Sequence, residues 1–207
     1  AYELLNGLRS KGMVAPTTIY RALDKLNEAG RIQGRTDVSL SEAGRAEVIS
    51  WILPLPYRQW RCFCSPLVRA RDTAALLRLP VPEIINDLQE MQWGAWEGHT
   101  LKTLRENDPK AFTRNEDRGL DFRPPDGESP RDVRERLGQW IGTLSSEHLP
   151  AVAVCHKGLL RAALSLATDW DMIDDPPEKL REPCAHLYEV HAGTLSVKPL
   201  NITLKPS

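Results

Sequence analysis

VAVCHKGLLRAAL, residues 152 to 164, decides the fold class. Val152 to Cys155 continue an apolar run of the length of a buried strand, and Gly158 then opens a helical segment, GLLRAALSLA. A strand apolar on both faces that runs into a helix belongs to a mainly parallel sheet covered on both sides. His156 falls at the strand-to-helix switch, the carboxyl edge where open α/β sheets bind ligands. Elsewhere a lone histidine is more often a hydrogen-bonded core residue.

The same alternation continues outward in both directions. Toward the C-terminus, LYEVHAGTLSVKPL (187–200) reads as two strands of an antiparallel hairpin. Toward the N-terminus, RDVRERLGQWIGTL (131–144) is a long helix after the turn PPDGESP, and LKTLRENDPKAFTRNEDR (101–118) holds further helices. Before these come an extended VPEII (81–85), a helix RARDTAALL (69–77), an apolar strand RCFC (61–64) and a capped helix SEAGRAEVISWI (41–52). The expected fold is α/β: a three-layer sandwich with a mainly parallel sheet, its crossovers right-handed.

Residues 1–30 have a different grammar. AYELLNGLRSKG sets Leu4, Leu5 and Leu8 on one stripe, and PTTIYRALDKLNEAG repeats Ile19, Leu23 and Leu26 at helical spacing before stopping at Gly30. Two short helices are predicted there, as a helical segment standing in place of a first strand. The division expected is 1–30 for this helix-turn-helix-like fragment and 31–207 for the α/β domain.

Bulk properties narrow the function. The chain has 207 residues, enough for one sizeable core and a small appendage. Lys+Arg 27 against Asp+Glu 28 gives no net electrostatic pull toward nucleic acid or an anionic membrane. No apolar run reaches the roughly 20 residues that span a bilayer, and the first residues lack a basic-then-apolar leader pattern, so a cytoplasmic protein is expected. Cys62, Cys64, Cys155 and Cys184 are too irregular for a disulfide framework and read as buried thiols. No His, Cys or carboxylate spacing suits a metal, and no cofactor is expected.

Two further stretches carry chemistry beside His156. SPLVRARDTAALL (65–77) runs from a strand end into a helix whose first turn carries Arg69 and Arg71, so guanidinium and free backbone N–H groups share one sheet edge, a setting that binds anions. An isolated arginine on a helix is ordinarily a solvated surface residue. LQEMQWGAWEGHTL (88–101) places Glu90 near two tryptophans and two glycines in a turn, where a carboxyl can lose water and act as a general acid, or simply rim the fold. His99, His148, His186 and His191 have no comparable setting and read as surface or packing residues.

GRIQGRTDVSLSEAGRA (30–46), SPLVRARDTAALL, LQEMQWGAWEG, PPDGESPRDVRERL and VAVCHKGLLR occur in the order and near the spacing of the histidine phosphatase, or phosphoglycerate mutase-like, family. The resemblance covers residues 27–207. It implies a phosphomonoesterase acting on a small phosphorylated molecule, in which one histidine takes the phosphoryl group and a second histidine and arginines bind its oxygens. By motif position it implies Arg69 in the phosphate pocket, Glu90 as the acid, His156 as the second histidine, Asn27 as a phosphate contact and Gln33 on the substrate side. Lys157 stands where many relatives have glycine and adds a cation there.

The departure from the pattern is at the nucleophile. Counting back from Asn27, the Arg-His-Gly slots hold Tyr20, Arg21 and Ala22, and no histidine precedes His99. A guanidinium cannot serve as nucleophile. AYELLNGLRSKGMVAPTTIYRALDKLNEAGRI (1–32) in turn resembles the DNA-recognition helices of ferric-uptake-type regulators, which would make Tyr20 and Arg21 DNA contacts. So short a module offers few phosphate contacts, and DNA is not the partner expected. Three readings follow: a phosphomonoesterase by descent with little or no activity, a DNA-binding regulator fragment, or a non-catalytic fusion chimera.

Overall fold

The computed structural model describes residues 12–16, as backbone, and residues 30–204. Its centre is a sheet of seven strands: β1 (Gly12–Pro16), β2 (Arg61–Cys64), β3 (Glu83–Ile84), β4 (Ala151–Val154), β5 (Cys184–His191), β6 (Thr194–Val197) and β7 (Ile202–Thr203). The order is β3-β2-β4-β1-β5-β6, with β7 paired to β5. β1, β2, β3 and β4 run parallel, and β5 turns the sheet antiparallel, followed by the β5–β6 hairpin with Val190 opposite Leu195.

Strand alternation puts half of each strand on either face. Cys62, Cys64, Val152 and Val154 belong to one buried cluster, with Val48, Ala70, Ala74 and Leu77 from helices α1 (Glu42–Ile49) and α2 (Val68–Leu76) and the residue after it. Phe63, Ala151 and Ala153 face the other way. They pack with Val133, Leu137 and Ile141 and with Leu159 and Leu160. Two small helices intervene, α3 (Leu101–Asn107) and α4 (Pro109–Glu116); then come α5 (Pro130–Gly142) and α6 (Lys157–Thr168), which cover that second face. The result is the expected α/β sandwich. Local signals set the helix starts: Ser41 caps α1, and Ser129 with Asp132 forms a capping box on α5.

The N-terminal expectation needs correction. A first strand is present: Gly12–Pro16 lies between β4 and β5, parallel to one (Val14 opposite Val152) and antiparallel to the other (Val14 opposite Leu187). The helical pattern on either side obscured it, because five residues carry too little periodicity to show a strand. Pairing along both edges supplies the hydrogen bonds that local propensity does not. Of the two predicted helices, 1–12 and 16–30, the described ends Gly12 and Pro16 are strand and Gly30 is a turn, and the rest of both lies outside the described residues. Among the described residues, no helix is long and apolar enough to cross a membrane.

Candidate active site

β2 and β4 are neighbours, with Cys64 opposite Val154, so the residues just beyond them meet at one edge of the sheet. There the His156 Nε2 lies 2.8 Å from Ser65 Oγ, both residues being fully enclosed. His156 is also the residue from which α6 starts. Burial, and then the nearby Arg69 and Arg136 guanidinium groups, hold its pKa well below the ordinary histidine value. The ring is therefore neutral at neutral pH and exchanges a hydrogen bond with a hydroxyl. Ser65 was not among the expected site residues, although its place directly after the RCFC strand is the signal that marks it.

Arg69, in the first turn of α2, is 3% exposed. Its NH2 donates to the Gly34 carbonyl at 2.7 Å and its NH1 to the Thr36 carbonyl at 3.0 Å. Among the described residues no carboxylate lies within ion-pairing distance of it. Arg71 is exposed. The 33–37 loop that holds Arg69 also caps α2, since Val68 N donates to Asp37 Oδ1 at 2.7 Å.

Glu90 is 1% exposed. Its carboxylate accepts from Met91 N at 2.7 Å and from Gly158 N at 3.4 Å, which ties it to the first turn of α6, two residues from His156. A Cβ at Gly158 would overlap the Glu90 carboxylate, so glycine leaves that side chain its present place. Arg69, Glu90 and His156 thus gather around the carboxyl ends of β2 and β4: Arg69 acts electrostatically on His156, Glu90 bonds the start of its helix, and one loop touches both outer residues.

Of the expected substrate contacts, Gln33 is buried at 2% exposure, and neither atom of its amide has a hydrogen-bond partner among the described residues. Lys157 is exposed, its Nζ 3.7 Å from Glu182 Oε1. It stands at one side of a cleft of about 490 Å³ shared with Arg161, Trp170, Lys179 and Arg181, where Arg161 lies 4.8 Å over the Trp170 ring. Asn27, Tyr20 and Arg21 lie outside the described residues. His186, expected to be a surface or packing residue, is a packing residue: it is fully buried, accepts from Asn201 N at 3.2 Å, and is pushed down to about 4 by burial. The four cysteines are buried and outside any disulfide among the described residues.

Residues 22–203 match the model of the histidine phosphatase superfamily (branch 1). Human 6-phosphofructo-2-kinase/fructose-2,6-bisphosphatase 3 is 32% identical over 162 residues, covering 75% of this chain and 30% of that protein. The metal-independent phosphoserine phosphatase of Arabidopsis thaliana is 32% identical over 146 residues, covering 66% of this chain and 61% of that protein. The chain thus spans less than two thirds of the length of these relatives. Among solved structures, a phosphoglycerate mutase from Thermus thermophilus aligns with a TM-score of 0.66 at 26% identity, over 95% of this chain and 99% of that one. A mycobacterial glucosyl-3-phosphoglycerate phosphatase solved with VO3 shares the fold, with a TM-score of 0.72 at 24% identity over 93% of this chain and 98% of that one. With a buried arginine, a neutral histidine and a carboxylate assembled at the same sheet edge, the chain belongs to the histidine phosphatase superfamily, branch 1.

Proposed function

We propose that the chain binds phosphate and phosphomonoesters at the Arg69–His156 pocket, and that it is a phosphomonoesterase by descent whose turnover is at or near background. The observation that carries this reading is the buried Arg69 guanidinium, held by two carbonyls and with no carboxylate partner among the described residues. A buried cation so placed calls for an anion. Arg69 and His156 would hold the phosphoryl oxygens, Asn27 would contact them from the first loop, and Gln33 would face the rest of the substrate. Glu90 would deliver the proton to the leaving oxygen.

Chemistry stops at the acceptor. By count from Asn27 the phosphoryl-accepting slot holds Arg21, which stays protonated and offers no nucleophilic lone pair. Loss of a covalent nucleophile commonly costs several orders of magnitude in rate even where the binding groups survive. The cleft beginning at Lys157 carries Arg161, Lys179 and Arg181 against Asp175 and Glu182, and this excess of cations suits a substrate whose leaving group carries a second acidic function.

The test is hydrolysis of p-nitrophenyl phosphate by the chain, beside a variant carrying Arg21→His and Ala22→Gly. Background rate in the first is expected. Robust turnover by the unaltered chain that is lost on His156→Ala would overturn the reading, since another residue would then accept the phosphoryl group.

A further inference from the structure

We propose that Arg35 is a positioning residue, and that the tripeptide Gly34–Arg35–Thr36 sets the spacing between Arg69 and Glu90. The proposal rests on the anion-pocket reading above for its functional consequence, and on the hydrogen-bond pattern for its substance. The carbonyls on either side of Arg35, those of Gly34 and Thr36, hold the two terminal nitrogens of Arg69. The Arg35 side chain reaches the other way: its Nε donates to the Glu90 carbonyl at 3.2 Å and its NH2 to Glu128 Oε1 at 2.7 Å. One short turn therefore grips the anion-binding cation with its backbone and the proposed acid's backbone with its side chain.

Both ends of this bracket are themselves anchored. The Glu97 carboxylate accepts from Arg35 N and Thr36 N, each at 2.9 Å, from Thr36 Oγ1 at 2.5 Å and from Trp93 N at 3.2 Å. At the far end, Glu128 is shared between Arg35 and Arg136, and its Oε2 accepts from Gln92 N at 3.0 Å. Arg136 in turn donates to the carbonyls of Asp87, Gln89 and Glu90. Two arginines and one glutamate thus clamp the 87–92 backbone that presents Glu90. The geometry needs the planar guanidinium fork, because Nε and NH2 of one side chain serve two different acceptors at once; a lysine ammonium on a single stem does not reproduce that.

The experiment measures vanadate affinity by calorimetry, and amide hydrogen exchange without ligand, in the full chain and in Arg35→Ala, Arg35→Lys, Glu90→Gln and the double variant Arg35→Ala/Glu90→Gln. Arg35→Ala is expected to weaken vanadate about tenfold, with no rescue by Arg35→Lys. The factor by which Glu90→Gln changes affinity should collapse toward one in the Arg35→Ala background. In the exchange arm, Thr36, Met91 and Gly158 amides should lose protection together in Arg35→Ala, while the buried Leu187 amide, which donates to the Pro199 carbonyl, keeps it. Absence of vanadate binding by the unaltered chain would sink the anion-pocket reading, and the exchange arm alone would then decide the bracket. Independent effects of Arg35→Ala and Glu90→Gln, full rescue by lysine, or loss of protection on one side of the turn only, would overturn the proposal.

Discussion

His156 Nε2 and Ser65 Oγ sit 2.8 Å apart at the ends of two adjacent parallel strands, and neither is reached by solvent. The serine hydroxyl also accepts from Leu67 N at 3.3 Å, so it fastens the imidazole to the turn that leads into α2. Ser65→Ala leaves a buried ring nitrogen without its partner, at a cost of about 1–3 kcal/mol. Urea denaturation should register that loss, and vanadate affinity should fall as the ring gains freedom to rotate. An unchanged midpoint would mean that the hydroxyl is not a partner of His156.

Arg69 and Arg71 are two positions apart on α2 and face different surroundings, one enclosed by the 34–36 turn and the other in solvent. Phosphate or vanadate at millimolar concentration should raise the melting temperature of the unaltered chain by mass action. Arg69→Ala should abolish that rise and Arg71→Ala should retain most of it. Equal loss in both would place the anion on the outer surface of the helix.

Stability should fall with acidification in a window set by two histidines. Burial lowers His186 to about 4, and burial together with Arg69 and Arg136 lowers His156 as well. Each folded-state value lies below the unfolded value, about 6.5, so the stabilising contribution is complete above that pH. It is lost as pH drops through the folded-state values, because the unfolded chain takes up the proton first. For His186 alone the loss between pH 7 and pH 4 comes to about 3 kcal/mol. Denaturation curves across this range should show the decline, and His186→Gln should flatten part of it. A flat profile in the unaltered chain would show that these rings titrate normally.

Two glycines are placed where a methyl group collides with a carboxylate that the site uses. Gly34 has φ +55, and its Cβ would overlap the Glu97 carboxylate; the Gly158 Cβ would overlap that of Glu90. Gly34→Ala combines left-handed strain with the collision and should destabilise by roughly 2 kcal/mol. Gly158→Ala meets the end of one side chain, so its effect should fall more on vanadate binding than on melting temperature. The reverse ranking would indicate that Glu90 moves aside freely.

Much of the molecule follows from local pattern. AVAVC, RCFC and the helices after them have periods and caps that need no partner to be recognised, and strand ends in a parallel sheet must share an edge, which brings Arg69, Glu90 and His156 into one neighbourhood. Four cysteines in apolar or irregular settings likewise read correctly as buried thiols. The missing histidine before His99 is also a property of sequence alone.

Tertiary structure decided the rest, because the causes lie far apart along the chain. Gly12–Pro16 is a strand on account of two neighbours more than 130 residues away in sequence, whose edges it satisfies simultaneously. Ser65 meets His156 across 91 positions, and Arg35 meets Glu128 across 93. Such bonds leave no periodic trace, since any arginine or serine in a turn looks solvated until the fold closes over it. What the sequence determined by itself is therefore the layering and the edge at which chemistry is placed. The hydrogen-bonded frame that holds each side chain to that edge exists only once distant backbone carbonyls and carboxylates have been brought within reach and removed from water.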